Sequence, residues 1–261
     1  MIHRFTAFLN NPHNERPDNP IHSTSGGQAH GFRAALVGGI HAYGWTATAM
    51  LEAFGQSWLD QGWIEISFRK PVHDGDQMTV NLTGSAFTVT NRDADVCLEG
   101  HAGLTDSPFT LTPLSFTKGV PEPPERPMLT LENAPVGASL RPMSVAWSLE
   151  EQDEFIGRWL EDPDPIYHSD TGRCHPSWLA RQPIDLLHHS FEYGPAIHTR
   201  SQIRNLATAR VGQTFTVTGQ CIEAFARRGH HYIINDCGVW NERESLVAAI
   251  RHTAIFRLRT A

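Results

Sequence analysis

Apolar and polar positions along the chain fall into two patterns that recur in the same order. Residues 34–54 are apolar around most of a helical circumference, with Ala, Val, Ile, Tyr, Trp, Met and Phe, which predicts a helix wrapped on several sides. Gly38, Gly39, His41, Gly44 and Glu52 interrupt the run, so it predicts a buried helix and not a membrane span. Beyond it the period shortens. Residues 62–70 read as a strand, Asp74-Gly75-Asp76 as a turn, and Met78 to Leu82 alternates apolar with polar. Segments 85–90 and 96–104 continue that pattern more weakly. The second part of the chain repeats the order. A helix is predicted over 176–189, opened by Pro176, whose missing N–H costs nothing at a first helical position. A strand over 195–204, a turn at Val211-Gly212-Gln213 and an alternating run from Thr214 to Ile222 follow. Strands over 230–240 and 246–258 flank the polar turn Asn241-Glu242-Arg243-Glu244 and read as a hairpin. Each half is therefore one long helix with antiparallel strands curled around it, an α+β architecture.

Between the halves, four prolines fall within residues 121–127, the composition of an extended spacer. The predicted division is an N-terminal domain over 1–118, a linker over 119–128 and a C-terminal domain over 129–261. With 261 residues, 40% hydrophobic and 19% charged, the chain can bury a core, which excludes a disordered protein. The balance of 21 basic against 28 acidic residues gives a net charge of −7, and no basic run exceeds Arg227-Arg228. A nucleic-acid partner is thereby excluded, since it needs a clustered positive face. No long apolar segment follows Met1-Ile2-His3-Arg4, so neither a secretory signal nor a membrane partner is expected. Cys97, Cys174, Cys221 and Cys237 form no C-x-x-C pair and read as reduced thiols of a cytoplasmic protein. Of fifteen histidines, His188-His189 and His230-His231 are adjacent and point in different directions, so no metal is expected.

The segment Asp18-Asn19-Pro20-Ile21-His22, with Gly38-Gly39 after it and the strand and turn from Phe68 to Asp76, resembles the MaoC-like hotdog hydratases and dehydratases. Asp162-Pro163-Asp164-Pro165-Ile166-Tyr167 and the Gly229-His230 hairpin resemble a second copy, so the resemblance spans almost the whole chain and implies a double hotdog. It also implies an (R)-specific hydro-lyase of fatty acid metabolism, interconverting trans-2-enoyl-CoA and (R)-3-hydroxyacyl-CoA. The partner implied is a small-molecule acyl-CoA thioester, with no cofactor beyond it, and the assembly a homodimer or higher homo-oligomer.

The family motif reads Asp, any residue, Asn, Pro, aliphatic, His. Its chemistry needs a carboxylate and an imidazole to activate water, and a helix N-terminal N–H to hold the negative charge that develops on the thioester oxygen. Carried over by position, His22 is the general acid/base, Asp18 its acidic partner and the Gly39 N–H the oxyanion donor, with Gly38 and Asn19 beside them. Both copies depart from the motif. In the first, Pro17 stands where the motif has Asp, and the acid comes one place later at Asp18. In the second, Tyr167 stands where the motif has His, and the imidazole follows at His168, so Asp162 and His168 are a possible second site.

His198 and Arg200 alternate along one face of the strand over 195–204 and are candidates for substrate binding, against the reading of a solvated strand face. His41 reads as a packed or rim histidine, and Tyr43, Trp45, Trp58 and Trp63 as core or pocket walls. Gly38 and Gly39 serve close helix packing as readily as an oxyanion hole. Hotdog folds also host acyl-CoA thioesterases. Because both motif copies are disrupted, a catalytically degenerate protein that binds acyl-CoA or serves as a scaffold subunit is a further alternative.

Overall fold

A computed structural model describes residues 1–11, 13, 19–170 and 172–259. In chain order the elements are β1 (Ile2–Thr6), α1 (Thr24–Ala29), α2 (Gly39–Phe54), α3 (Trp58–Gln61), β2 (Trp63–Phe68), β3 (Gln77–Thr83), β4 (Ala86–Thr90) and β5 (Val96–Gly103). Then come β6 (Met143–Trp147), α4 (Leu149–Trp159), α5 (Pro176–Ser190), β7 (Ile197–Asn205), β8 (Gln213–Arg227), β9 (His230–Trp240) and β10 (Leu246–Arg257). Single 3-10 turns at Pro20–His22 and Pro165–Tyr167 stand in matching places in the two halves.

The strands form one antiparallel sheet in the order β1-β3-β4-β5-β2-β7-β10-β9-β8-β6. The two halves join at β2 and β7, where Trp63 faces Arg204, Glu65 faces Gln202 and Ser67 faces Arg200. This antiparallel seam makes the halves a pseudo-symmetric pair, with α2 and α5 as their long buried helices. Where the helices meet, a side chain at Gly44 would come within 3.1 Å of Ser177 Cβ and 2.6 Å of a Leu160 methyl. Trp45, Met50, Trp58, Trp178 and Phe215 fill one continuous core. The four cysteines are buried free thiols. Among the described residues, no helix is long and apolar enough to cross a membrane.

Several boundaries differ from the sequence pattern. The first helix begins at Gly39 and not at residue 34, because residues 35–37 are extended: the Leu36 N–H donates to the Ile21 carbonyl and the Val37 N–H to the Val72 carbonyl. The alternating run from Thr214 continues to Arg227 before turning at Arg228-Gly229. The edge strands β1 and β6, five residues each, and helix α4 lie outside the sequence pattern described above. The proline-rich stretch is fastened to the second half, with the Val120 N–H donating to the Pro142 carbonyl and Arg141 Nε to the Pro121 carbonyl. Just before it, residues 105–118 run over the sheet. Phe109 meets Trp63 edge-on, the Thr112 N–H donates to Asp236, and Phe116 meets Trp240.

Candidate functional site

A cavity of about 1100 Å³ opens at the N-terminus of α2 and draws its walls from both halves. Pro20 starts the 3-10 turn that carries His22 to its edge. His22 Nδ1–H donates to the Leu36 carbonyl at 2.7 Å, which fixes the ring and leaves Nε2 as an acceptor. Asn19 Nδ2 donates to that Nε2 at 3.1 Å. The same amide bridges to the second half, donating to the Ala196 carbonyl at 2.9 Å and accepting from the Ala196 N–H at 3.2 Å. Asp18 lies outside the described residues.

Helix α2 starts at the cavity with Gly38 as its N-cap, and no side chain caps it. The positive end of the helix and its first N–H groups therefore face the space that His22 borders. Both glycines make room for imidazoles. A methyl on Gly38 would lie 3.2 Å from His41 Nδ1 and 3.8 Å from His22 Cε1, and one on Gly39 would lie 2.8 Å from His198 Cβ. His41 stacks on Trp159 at 5.0 Å and also borders the cavity. Tyr43, Trp45, Trp58 and Trp63 are core residues and do not line it.

His198 reaches the cavity from β7, with Nε2 at 2.8 Å from Ser201 Oγ and its ring 4.3 Å from that of His252. Burial pushes the His198 imidazole well below its usual pKa, with His252 adding to the shift, and burial lowers His252 to about 4. Arg200 is elsewhere. Strand β7 carries an extra residue against β10, since Thr253 faces Arg200 while Ala254 faces His198. A bulge of this kind breaks the alternation of sides. It turns His198 toward α2, while Arg200 pairs with Glu65 at 2.9 Å and does not line the cavity. The expectation that both share one face is thereby corrected.

Among the described residues, the start of α5 in the second half is closed where the start of α2 is open. Its equivalent of Gly38 is His175, the N-cap of α5, whose ring accepts from the Ser177 N–H at 3.1 Å. Pro176, which has no N–H, occupies the first helical position. The imidazole is 1% exposed and its Nε2 lies 3.5 Å from Asp162 Oδ2, which also accepts from Thr48 Oγ1 at 3.3 Å. Burial tends to raise the Asp162 carboxyl, but hydrogen bonds from His175, the Asp164 N–H and Thr48 outweigh it and hold it below its usual value. Burial lowers His175. Asp162 and His168 do not form a site together. His168 donates to the Asp162 main-chain carbonyl and turns its other nitrogen to Asp153 at 2.6 Å, contacts that raise its pKa. Neither residue lines the cavity.

Asp185, Arg181 and His252 line the cavity without having been singled out in the sequence. Asp185 and Arg181 pair at 2.9 Å on α5, and burial raises the Asp185 carboxyl despite the guanidinium. Their i,i+4 spacing was a readable signal of the pair but not of its position over a cavity. Among the described residues, no three His, Cys, Asp or Glu side chains converge as a metal site.

No family model and no curated protein matches the sequence. Solved structures do match its fold. A MaoC domain protein dehydratase from Chloroflexus aurantiacus J-10-fl superposes with a TM-score of 0.57 at 12% identity, covering 91% of this chain and 86% of that one. A MaoC-like dehydratase gives 0.59 at 12% identity, covering 100% and 98%. An acyl-CoA thioesterase II, TesB2, from Mycobacterium marinum gives 0.50 at 14% identity, covering 87% and 92%. This chain has the double-hotdog fold that these proteins share.

Proposed function

We propose that this double-hotdog protein hydrates trans-2-enoyl-CoA thioesters to (R)-3-hydroxyacyl-CoA, and catalyses the reverse dehydration, at the cavity between its halves. The observation that carries the reading is the meeting of His22, with an acceptor nitrogen, and the glycine-capped N-terminus of α2 at one cavity. With the thioester oxygen at the first N–H groups of α2, the α,β double bond lies beside His22. A water that displaces the Asn19 amide from Nε2 gives its proton to the ring as its oxygen bonds to the β-carbon. The electron pair moves toward the thioester oxygen, where the helix end stabilises the enolate. His22 then returns the proton to the α-carbon, so water is added in full. The structural likeness to MaoC-like dehydratases supports this reading.

Acyl-CoA hydrolysis is the second reading, supported by the likeness to a thioesterase and by Asp185, a carboxyl of raised pKa in the same cavity. The test follows loss of the enoyl-thioester absorbance with crotonyl-CoA and a longer trans-2-enoyl-CoA. Wild type is expected to hydrate at least one of them, and His22→Ala to lose roughly 100-fold or more at an unchanged unfolding midpoint. Release of free thiol without hydration would replace this reading with the second.

A further inference from the structure

A cavity wall that receives only a hydrocarbon chain needs no hydrogen-bonding groups, yet the sheet beside this one carries a polar row. Ser201 on β7 faces His252 on β10, and His252 faces Asn235 on β9. All three are buried, Asn235 completely. His198 joins the row through its bond to Ser201 and its contact with His252. Among the described residues, four atoms of this row find no hydrogen-bond partner: His198 Nδ1, His252 Nδ1, and both Oδ1 and Nδ2 of Asn235. Buried polar atoms are costly to leave in that state, so a cluster of them beside a cavity marks a place where a ligand's polar atom is welcome. His198 and His252 border the cavity, and Asn235, paired with His252 across β9 and β10, lies beside them without lining it.

The chemistry of the row narrows the ligand. Burial keeps both imidazoles neutral, and the Asn235 side chain is an amide, so the row offers donors and acceptors without a formal charge. Among the described residues, the lysine and arginine side chains bordering the cavity have anionic partners: Arg69 with Glu99, Lys70 with Asp95, Arg126 with Glu122 and Arg181 with Asp185. The row begins against Gly39 and extends one ring further. It therefore meets the acyl group a few bonds beyond the thioester carbonyl.

We propose that the acyl group bound here carries, beyond the C3 oxygen of the reaction itself, an uncharged oxygen substituent, a hydroxyl or an oxo group, that hydrogen-bonds to His252 and His198. This rests on the acyl-thioester reading of the same cavity and names its substrate class more closely. The test is calorimetric binding of saturated thioesters, which cannot be hydrated. 4-Oxopentanoyl-CoA is compared with pentanoyl-CoA, 6-hydroxyhexanoyl-CoA with hexanoyl-CoA, and adipoyl-CoA supplies a charged end.

At least one oxygenated thioester is expected to bind tenfold or more tightly than its parent, with adipoyl-CoA no tighter than hexanoyl-CoA. His252→Phe and Asn235→Leu are each expected to bring the ratio of oxygenated to plain thioester affinity, read within the same variant, to about one. Equal or tighter binding of the plain chains by wild type overturns the inference, and so does tightest binding of adipoyl-CoA. A protein that hydrates enoyl-CoA but shows no such preference refutes this inference alone. One that binds none of the five thioesters refutes the acyl-CoA reading and this inference with it.

Discussion

His252 shows what one side chain can cost and control. Its ring is 2% exposed, on the inner row of the sheet, and burial holds its pKa near 4 against about 6.5 in an unfolded chain. Between those values the unfolded chain takes up a proton that the native ring refuses. Stability from this group is therefore complete above pH 6.5 and declines as pH falls toward 4. From pH 7 to pH 5 the loss assigned to His252 is about 2 kcal/mol. Urea unfolding at the two pH values should show wild type losing that much more than His252→Phe. Equal losses in the two proteins would mean that the ring is not held neutral. His198, also depressed by burial, adds to the loss in the same direction in both proteins. The paired roles of Gly38 and Gly39 belong to this scale too. They give imidazoles room against the start of α2, and they leave that start without a side-chain cap.

Among the elements, α4 rests on a local device. Ser148 Oγ accepts from the Glu151 N–H at 3.1 Å, and the Glu151 carboxylate accepts from the Ser148 N–H at 2.8 Å, a reciprocal cap. Ser148→Ala should lower stability by about 1 kcal/mol in urea unfolding, and no change would mean that tertiary packing alone holds the helix. That cap was visible in the sequence as Ser148-x-x-Glu151, ahead of a helix in which five of eleven residues are charged. The hairpin β9–β10 was legible because long alternating runs flank a polar turn, and α5 because Pro176 opens a helical pattern. The start of α2 was misplaced because residues 35–37 are as apolar as a helix while running extended, and composition does not separate the two. At the site, His22 and Gly39 could be read from one short segment and the helix that follows. Asp185 and His252 could not, since α5 and β10 bring them to the cavity only through tertiary packing. Arg200 was misassigned because a single extra residue in β7 reverses the alternation that sequence reasoning assumes.

The molecule as a whole is a joint structure rather than two modules on a string. Its sheet is continuous across β2 and β7. Ser177 Oγ donates to the Ile40 carbonyl between the two long helices, and Arg173 pairs with Asp60 at 2.7 Å. The cavity needs Asn19 against Ala196 and Gly39 against His198. Residues 1–118 expressed alone should therefore lack a cooperative thermal transition, because β2 would become an open edge and the α5-facing side of α2 would meet water. A sharp melt of that fragment by circular dichroism would contradict this dependence. The seam also sets a clock during synthesis. Glu65 is made 137 residues before Gln202, the residue it faces. At roughly 5–20 residues per second, a ribosome takes on the order of ten seconds or more to deliver the missing strand. For that interval each nascent chain presents an unpaired, aromatic-rich edge to its surroundings, and the safest partner for it is one that has not yet been translated.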